Sequence, residues 1–330
     1  MSVFQRYGIF PARIGDILFR QLGSASLSPG NTVSEPIPGG AIDRSAVITA
    51  YADPVSRLQT TDIQSILVGT PTTASVSLLT GYAFDTVGTP PGSPAPTATT
   101  LLQHQARVDG GVFDALANHF TITSSKGFAQ IDSITASQDD ATGVKADLSV
   151  WHLSADGIAV PATAAANSSL TSTPLFTALW YLGPVTLGVP ASAPVWLKSI
   201  QSVTIRTGLQ YTVKRGEGHP YASIGSIIKR TPEIRIRLHD AEEWYTKLSP
   251  ALHGLALTGA LRVNCYLQKG IHGSTRVPYA TAEHMNIYAA TGALDPQDFS
   301  VTGEDDLGID LLIRPTGTLA LANNVAILTA

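Results

Sequence analysis

The sequence predicts a mainly β protein, an antiparallel β-sandwich or barrel with one or two short helices. From residue 41 onward, short alternating or β-branched runs are separated by turn residues, as in antiparallel sheets. The chain has 330 residues and is 44% hydrophobic, so burial alone can stabilise a core. Its single cysteine, Cys265, excludes an internal disulfide.

The predicted elements follow these runs in order. The strands before the middle of the chain are 41–51, 63–68, 74–84, 128–136 and 144–153. The later strands are 196–206, 209–214, 233–238, 255–267, 283–289, 309–313 and 319–328. Helices are predicted at 112–119 and at 241–248, where Asp240 can cap the first turn. Glycine and proline mark 23–40 and 86–100 as surface loops.

A segment without charged residues divides the chain. Five prolines interrupt this segment, which predicts a packed connection rather than a membrane-spanning helix. We therefore predict a β-rich N-terminal domain with long Pro/Gly loops over 1–156, a connecting segment over 157–195 and a β-rich C-terminal domain over 196–330. Similar four-residue runs begin at Ile63, Ile131 and Ile200, which leaves a duplicated β-domain open.

The charge content is low for a chain of this length. Charged residues make up 14% of the sequence, where soluble domains typically have roughly 25%. Either much of the surface is neutral, or other subunits cover it. The 21 basic and 25 acidic residues give a net charge of -4, which argues against a protein that grips nucleic-acid phosphates. The first residues lack the basic and apolar pattern of an export signal.

The common catalytic and cofactor motifs are absent from the sequence. Cys265 alternates within a predicted strand and is interpreted as a small buried hydrophobe. His239, Glu242 and Glu243 share a predicted helical turn, but a capped helix with solvated acids explains them better than a metal site. We therefore predict no catalytic residue, no cofactor and no metal.

One part of the chain is strongly basic. Residues 198–237 hold eight lysines and arginines against two glutamates, which gives 8 - 2 = +6. Unlike patches on identical subunits can meet head to tail, and a solvated sheet face is the competing interpretation. The candidate subunit-contact residues are Lys214, Arg215, Glu217, His219, Tyr221, Lys229, Arg230, Arg235 and Arg237.

The same part of the chain carries a family resemblance. Residues 199–215 read SIQSVTIRTGLQYTVKR, and residues 221–238 read YASIGSIIKRTPEIRIRL. This pattern of strand, loop, small-residue turn and a strand after an Arg-x-Pro step resembles the tail tube proteins of long-tailed bacteriophages. The resemblance implies a β-sandwich or barrel whose subunits share strands around a ring, with rings stacking into a hollow tube that guides DNA.

The resemblance also implies a location and partners. The chain would belong to the virion after synthesis in the host cytoplasm, and it would contact itself, other tail proteins and, transiently, DNA in the lumen. The family transfers no catalytic residue. Two fused tube-like domains and one decorated domain both stay open. The alternatives are a capsid or decoration protein, or an extracellular carbohydrate-binding or hydrolytic β-protein, which should expose aromatic platforms or paired carboxylates.

Overall fold

The computed structural model of the chain is mainly β, with antiparallel sheets arranged as a sandwich, so the predicted fold class is confirmed. The described residues are 7–10, 12–14, 17–19, 22–28, 32–34, 47–50, 53–68, 78–85, 99–106, 119–138, 141–168, 178–188, 195–240, 261–270, 276–296 and 309–327.

The first elements in chain order are β1 (Tyr7–Phe10), β2 (Ala12–Ile14), β3 (Ile17–Phe19), β4 (Leu22–Ser28), β5 (Thr32–Ser34), β6 (Val47–Ala50), β7 (Val55–Thr60), α1 (Ile63–Val68), β8 (Tyr82–Asp85), β9 (Thr99–Ala106), β10 (His119–Ser124), β11 (Lys126–Ser137) and β12 (Lys145–His152). They are followed by β13 (Thr163–Ser168), β14 (Trp180–Gly188), β15 (Val195–Leu197), β16 (Ile200–Arg206), β17 (Leu209–Lys214), β18 (Ile224–Arg230), β19 (Glu233–Leu238), β20 (Arg262–Lys269), β21 (His284–Ala289), β22 (Gly292–Pro296), β23 (Ile309–Pro315) and β24 (Ala320–Val325).

The largest sheet has nine strands. Its order is β22-β23-β19-β16-β11-β12-β7-β4, and β8 pairs with the first part of β11. The pairing of β11 with β16 joins strands from both sides of residues 157–195 in this central sheet. The division into two domains stays a prediction, and the segment between them contributes β13 and β14.

A second sheet packs over the central sheet. Its order is β15-β14-β20-β21-β24. Apolar residues of both sheets form one buried cluster, which includes Ile131 and Ile236 of the central sheet and Val185, Cys265 and Ile287 of the second sheet. Strand alternation explains this arrangement, because every second residue of a strand points to the same face.

The opposite face of the central sheet is polar. Ser133 donates a hydrogen bond to the carboxylate of Asp147 over 2.9 Å. Gln130 donates to Asp132 over 2.7 Å, and Ser149 donates to the same carboxylate. These acids are therefore partnered within the chain, so they do not form a bare acidic patch.

The strand predicted at 63–68 is wrong, because these residues form α1. Ile63, Ile66 and Leu67 are buried, and a spacing of three and four residues places side chains on one face of a helix. The carboxylate of Asp62 accepts the amide N–H of Ser65 over 3.3 Å and caps the first turn. The β-branched run predicted a strand because six residues are too few to distinguish the apolar spacing of a helix from that of a strand.

The loop predicted at 23–40 is also partly wrong. It contains β5 and most of β4, and β4 pairs with β7 at the edge of the central sheet. Small residues such as Ser24 and Ala25 give little apolar signal, yet their backbone groups complete the ladder. The predicted helix at 241–248 lies outside the described residues, as do residues 112–118 of the other one; His119 begins β10.

Candidate subunit-contact surface

Seven of the nine predicted contact residues lie on one β-hairpin. We call residues 209–230 the hairpin, which consists of β17, the loop 215–223 and β18. It carries Lys214, Arg215, Glu217, His219, Tyr221, Lys229 and Arg230. Arg235 and Arg237 lie instead on β19, within the central sheet. The interpretation of residues 215–220 as the loop at a hairpin end is confirmed.

The hairpin extends from the central sheet as a continuation of two paired strands. β16 leads into β17, and β18 leads into β19, while β16 and β19 pair with each other. The ribbon bends at Gly208, whose φ is 59° and whose carbonyl accepts the N–H of Thr231 over 3.0 Å. A side chain at position 208 would collide with the carbonyl oxygen of Thr231. Glycine therefore permits both the backbone angle and the close approach.

Three aromatic rings anchor the hairpin to the sheet. The ring of Tyr211 stacks on that of Phe128 with centroids 4.5 Å apart and lies 5.8 Å from that of Trp151. Gly225, on the paired strand, leaves room for the Tyr211 hydroxyl. Burial, assisted by the nearby charge of Asp53, raises the pKa of Tyr211 above its usual value, so its hydroxyl stays protonated.

The far end of the hairpin is fastened by Asp53. Its carboxylate accepts the amide N–H of Ala222 over 2.7 Å and lies 3.2 Å from the Arg215 guanidinium. The Asp53 side chain is only 6% exposed, so this pair is shielded from water on one side. Arg215 therefore helps to hold the hairpin in place within its own chain. Its basic character alone did not predict this role.

A short loop packs beside this end of the hairpin. The N–H of Tyr221 donates to the carbonyl of Gly157 over 3.1 Å. In the loop 154–160, the carboxylate of Asp156 accepts the N–H groups of Ala159 and Ile158 over 2.7 and 2.8 Å. These hydrogen bonds, the one from Ala159 first, lower the pKa of Asp156 to about 2. The loop is thus held in a defined shape next to the hairpin.

Exposed apolar side chains concentrate at this place. Within the described ranges, the large hydrophobic residues with high exposure are Ile158 at 65%, Val160 at 60%, Ile224 at 61% and Ile228 at 65%. Two lie on β18, and two lie on the loop 154–160. Scattered exposed hydrophobics are ordinary, but a concentration on two adjacent segments is typical of an interaction surface.

A groove runs along the inner side of the hairpin. It has a volume of about 510 Å³ and is bordered by residues 223–227, by residues 81–84 of β8 and its turn, and by the rings of Phe128 and Tyr211. β18 pairs with β17, and no other described strand pairs with it. Its second edge therefore offers backbone groups to an incoming strand.

The hairpin is basic as a whole. Lys214, Arg215, Lys229 and Arg230 against Glu217 give 4 - 1 = +3. Its two basic pairs lie at opposite ends of the strands, about 17 Å apart at the strand rise. By contrast, Arg237 lies 3.6 Å from Asp310 of β23 and donates to Gln201 over 2.8 Å. Arg237 is thus paired within the chain, as Arg215 is with Asp53, and the hairpin keeps a formal net positive charge.

Among the described residues, those considered for chemistry are not grouped into a site. Cys265 is 1% exposed on β20, as predicted, and burial raises the pKa of its thiol to about 12, so it is not a thiolate. The backbone N–H of His239 donates to Ser199 over 2.7 Å, and Glu242 and Glu243 lie outside the described residues. Within the part of the chain that the structure describes, no three His, Cys, Asp or Glu side chains are grouped to hold a metal.

Sequence reasoning missed the apolar part of this surface. Ile224 and Ile228 stand in a β-branched run just before Lys229 and Arg230, and no strand was predicted there, although these residues form β18. Ile158 and Val160 lie at the beginning of the predicted connection. The signal available in the sequence was a short β-branched run that ends in two basic residues and lacks the apolar and polar alternation of a half-buried strand.

Removing the Asp53 carboxylate is expected to loosen the end of the hairpin. In Asp53→Ala, the Ala222 N–H and Arg215 both lose their partner, and hydrogen bonds to charged groups contribute about 1.5–3 kcal/mol. Amide exchange in residues 215–223 should become roughly tenfold faster or more. Asp310→Ala, which removes an exposed ion pair from the same chain, is the control and should leave these amides unchanged. Equal exchange in both variants would contradict the anchoring role.

Among helices of the described part, none has the length and apolar character needed to cross a bilayer. No model of a known protein family matches the chain, and no curated protein matches its sequence.

Proposed function

We propose that the chain is a structural protein of a bacteriophage particle that assembles with copies of itself into rings, which stack as a tail tube and form a channel for DNA. The observation that carries this proposal is the hairpin, which places Ile224 and Ile228 in solvent on a strand whose second edge is unpaired among the described strands. An exposed apolar strand edge is a template for pairing with another chain, and natural proteins usually cover or blunt it.

The chemistry of the hairpin favours a protein partner. Burial of isoleucine side chains lowers the free energy by about 25 cal/mol for each Å² of apolar surface removed from water. The free edge of β18 can add a strand from a neighbour, in which main-chain hydrogen bonds give affinity and side chains give register. Addition of a strand between identical subunits repeats around a ring if the rotation closes.

The charge distribution supports the same partner. The hairpin carries +3, so the rest of the chain carries -4 - 3 = -7. A second copy is therefore an acidic partner for a basic hairpin. The net negative charge also suits a channel through which DNA passes without being held, because like charges repel the phosphates. Other tail proteins would meet the ends of such a tube.

A double substitution on β18 tests this proposal. Ile224→Asp with Ile228→Asp should abolish assembly, because it places two charges where apolar contact is needed, while the exposed positions leave the fold intact. Negative-stain microscopy and light scattering measure the rings and the mass. Thr318→Asp with Asn323→Asp, two exposed positions away from the hairpin, is the matched control and should assemble like the parent.

Two results would contradict assembly through the hairpin. A parent protein that stays monomeric at high concentration and in several salts contradicts self-assembly. If the Ile224→Asp/Ile228→Asp protein has a normal circular dichroism spectrum and still assembles, the hairpin is not part of the interface.

A further inference from the structure

A second concave feature lies away from the hairpin, at one edge of the five-stranded sheet. It is a cavity of about 640 Å³ between β14, β15, the start of β16 and the segment that includes Arg276 and Tyr279. This volume falls in the range of roughly 300–1,000 Å³ that is typical of small-ligand sites. Nothing in the proposed assembly uses it.

The floor of the cavity is apolar and fixed by a strand irregularity. Leu182, Leu197 and Ile200 are buried beneath it. β14 shifts register between Leu182 and Val185, and at Gly183 a side chain would collide with the backbone of β20. The bulge turns this part of β14 away from regular pairing, which opens space beside it.

Aromatic side chains form the walls. Trp196 is half-buried, and its ring packs nearly parallel to that of Tyr266 with centroids 6.3 Å apart. Tyr279 is also half-buried and meets the ring of His284 edge to face at 6.4 Å. Both rings are thus held by neighbours while they border the cavity. Rings that are fixed before binding lose little conformational entropy when a ligand stacks on them.

Polar and cationic groups form the rim. The Arg276 guanidinium lies 4.8 Å from the centroid of the Tyr181 ring, a cation-π contact that orients it at the cavity. Lys198 and Gln138 are exposed at the same rim. A guanidinium matches a carboxylate with two parallel hydrogen bonds, and the Gln138 amide can both donate to and accept from hydroxyl groups.

We propose that this cavity binds an acidic sugar, a pyranose ring that carries a carboxylate, as in a uronic acid residue of an oligosaccharide. The apolar C–H face of the sugar stacks on Trp196 or Tyr279, the carboxylate pairs with Arg276 and Lys198, and the hydroxyl groups reach Gln138. A nucleotide fits this site less well, because neither a helix N-terminus nor a glycine-rich phosphate loop borders the cavity among the described residues.

The probe is trigalacturonic acid, with its fully methyl-esterified form as the neutral counterpart. Isothermal titration and tryptophan fluorescence of the complete chain should show binding of the acid and markedly weaker binding of the ester. Trp196→Ala and Arg276→Gln should each weaken binding by about tenfold or more, since each removes one specific contact. Lys229→Gln, an exposed cation on the hairpin, is the control and should bind like the parent.

Each contrary result overturns the proposal. Absence of binding by the parent removes the site. Equal binding of the acid and the ester would show that the cavity does not recognise the carboxylate. If Lys229→Gln weakens binding as much as Arg276→Gln, the acid is held by general charge attraction and not by the cavity. These readouts are independent of ring assembly, so they separate this site from the function proposed for the hairpin.

Discussion

Gly208→Val is expected to detach the hairpin from the central sheet and to abolish ring assembly. Position 208 has a φ of 59°, in the left-handed region, which costs a β-branched residue more than the roughly 1–2 kcal/mol of an ordinary side chain. The new side chain also meets the carbonyl oxygen of Thr231. The ribbon can relieve this collision only by opening at the bend, which moves Ile224 and Ile228 out of place.

The measurement combines assembly with local exchange. Amides of 209–214 and 224–230 should lose protection, and the free energy of unfolding should fall by about 3 kcal/mol. Gly317→Val is the matched control, because no atom lies within 4 Å of the added carbon there, and it should assemble normally. A Gly208→Val protein that forms rings as the parent does would show that the bend at 208 is not required for the contact.

The sequence predicted strands inside the central sheet better than it predicted the strands of the hairpin. Alternation predicted the strand at 233–238, which is β19, and there Arg235 and Arg237 are exposed while Ile234 and Ile236 are buried. Alternation works there because β19 lies inside a sheet with one apolar face. Alternation gives no signal on β18, because this strand lies outside the central sheet and neither of its faces is buried.

The possible internal repeat shows why short patterns mislead. The run that begins at Ile63 forms a helix, whereas the runs that begin at Ile131 and Ile200 lie on β11 and β16. These two strands pair with each other in antiparallel fashion, next to one another in the same sheet. Their similarity follows from a common environment, since neighbouring strands with the same buried face require the same alternation.

Only part of the hairpin surface could be predicted from the sequence. Local excess of charge is visible in a sequence, and it led to the prediction that residues 214–230 take part in subunit contact. The contacts that hold the hairpin were not visible. Asp53 lies 162 positions from Arg215, and Trp151 lies 60 positions from Tyr211, so only the folded sheet brings them together. Pairings at such sequence distances depend on topology, which local patterns do not specify.

Lowering the pH from 7 to 4 is expected to destabilise the fold through His152. This side chain is fully buried at the end of β12, where Nε2 lies 2.8 Å from the Ser56 hydroxyl and Nδ1 has no hydrogen-bond partner among the described residues. Burial lowers its pKa from 6.5 to about 4, because the charged imidazolium is poorly solvated there. The unfolded chain therefore binds this proton at a higher pH than the folded chain does.

The sign of the effect follows from this difference. Above pH 6.5 the imidazole is neutral in both states and contributes no pH dependence. As the pH falls from 6.5 toward 4, only the unfolded state gains the proton, so the free energy of unfolding falls by up to about 3 kcal/mol. Unfolding in urea at a series of pH values measures this slope for the parent and for His152→Gln, which lacks the titrating group.

Ser56→Ala separates burial from hydrogen bonding as the cause. It removes the partner of Nε2 but leaves the imidazole buried, so its stability should still fall between pH 6.5 and 4 as that of the parent does. His152→Gln should lose this part of the slope even if its stability at pH 7 is lower. Identical slopes for the parent and His152→Gln would mean that another group carries the acid sensitivity. A slope lost in Ser56→Ala as well would mean that the hydrogen bond, and not burial, holds the imidazole neutral.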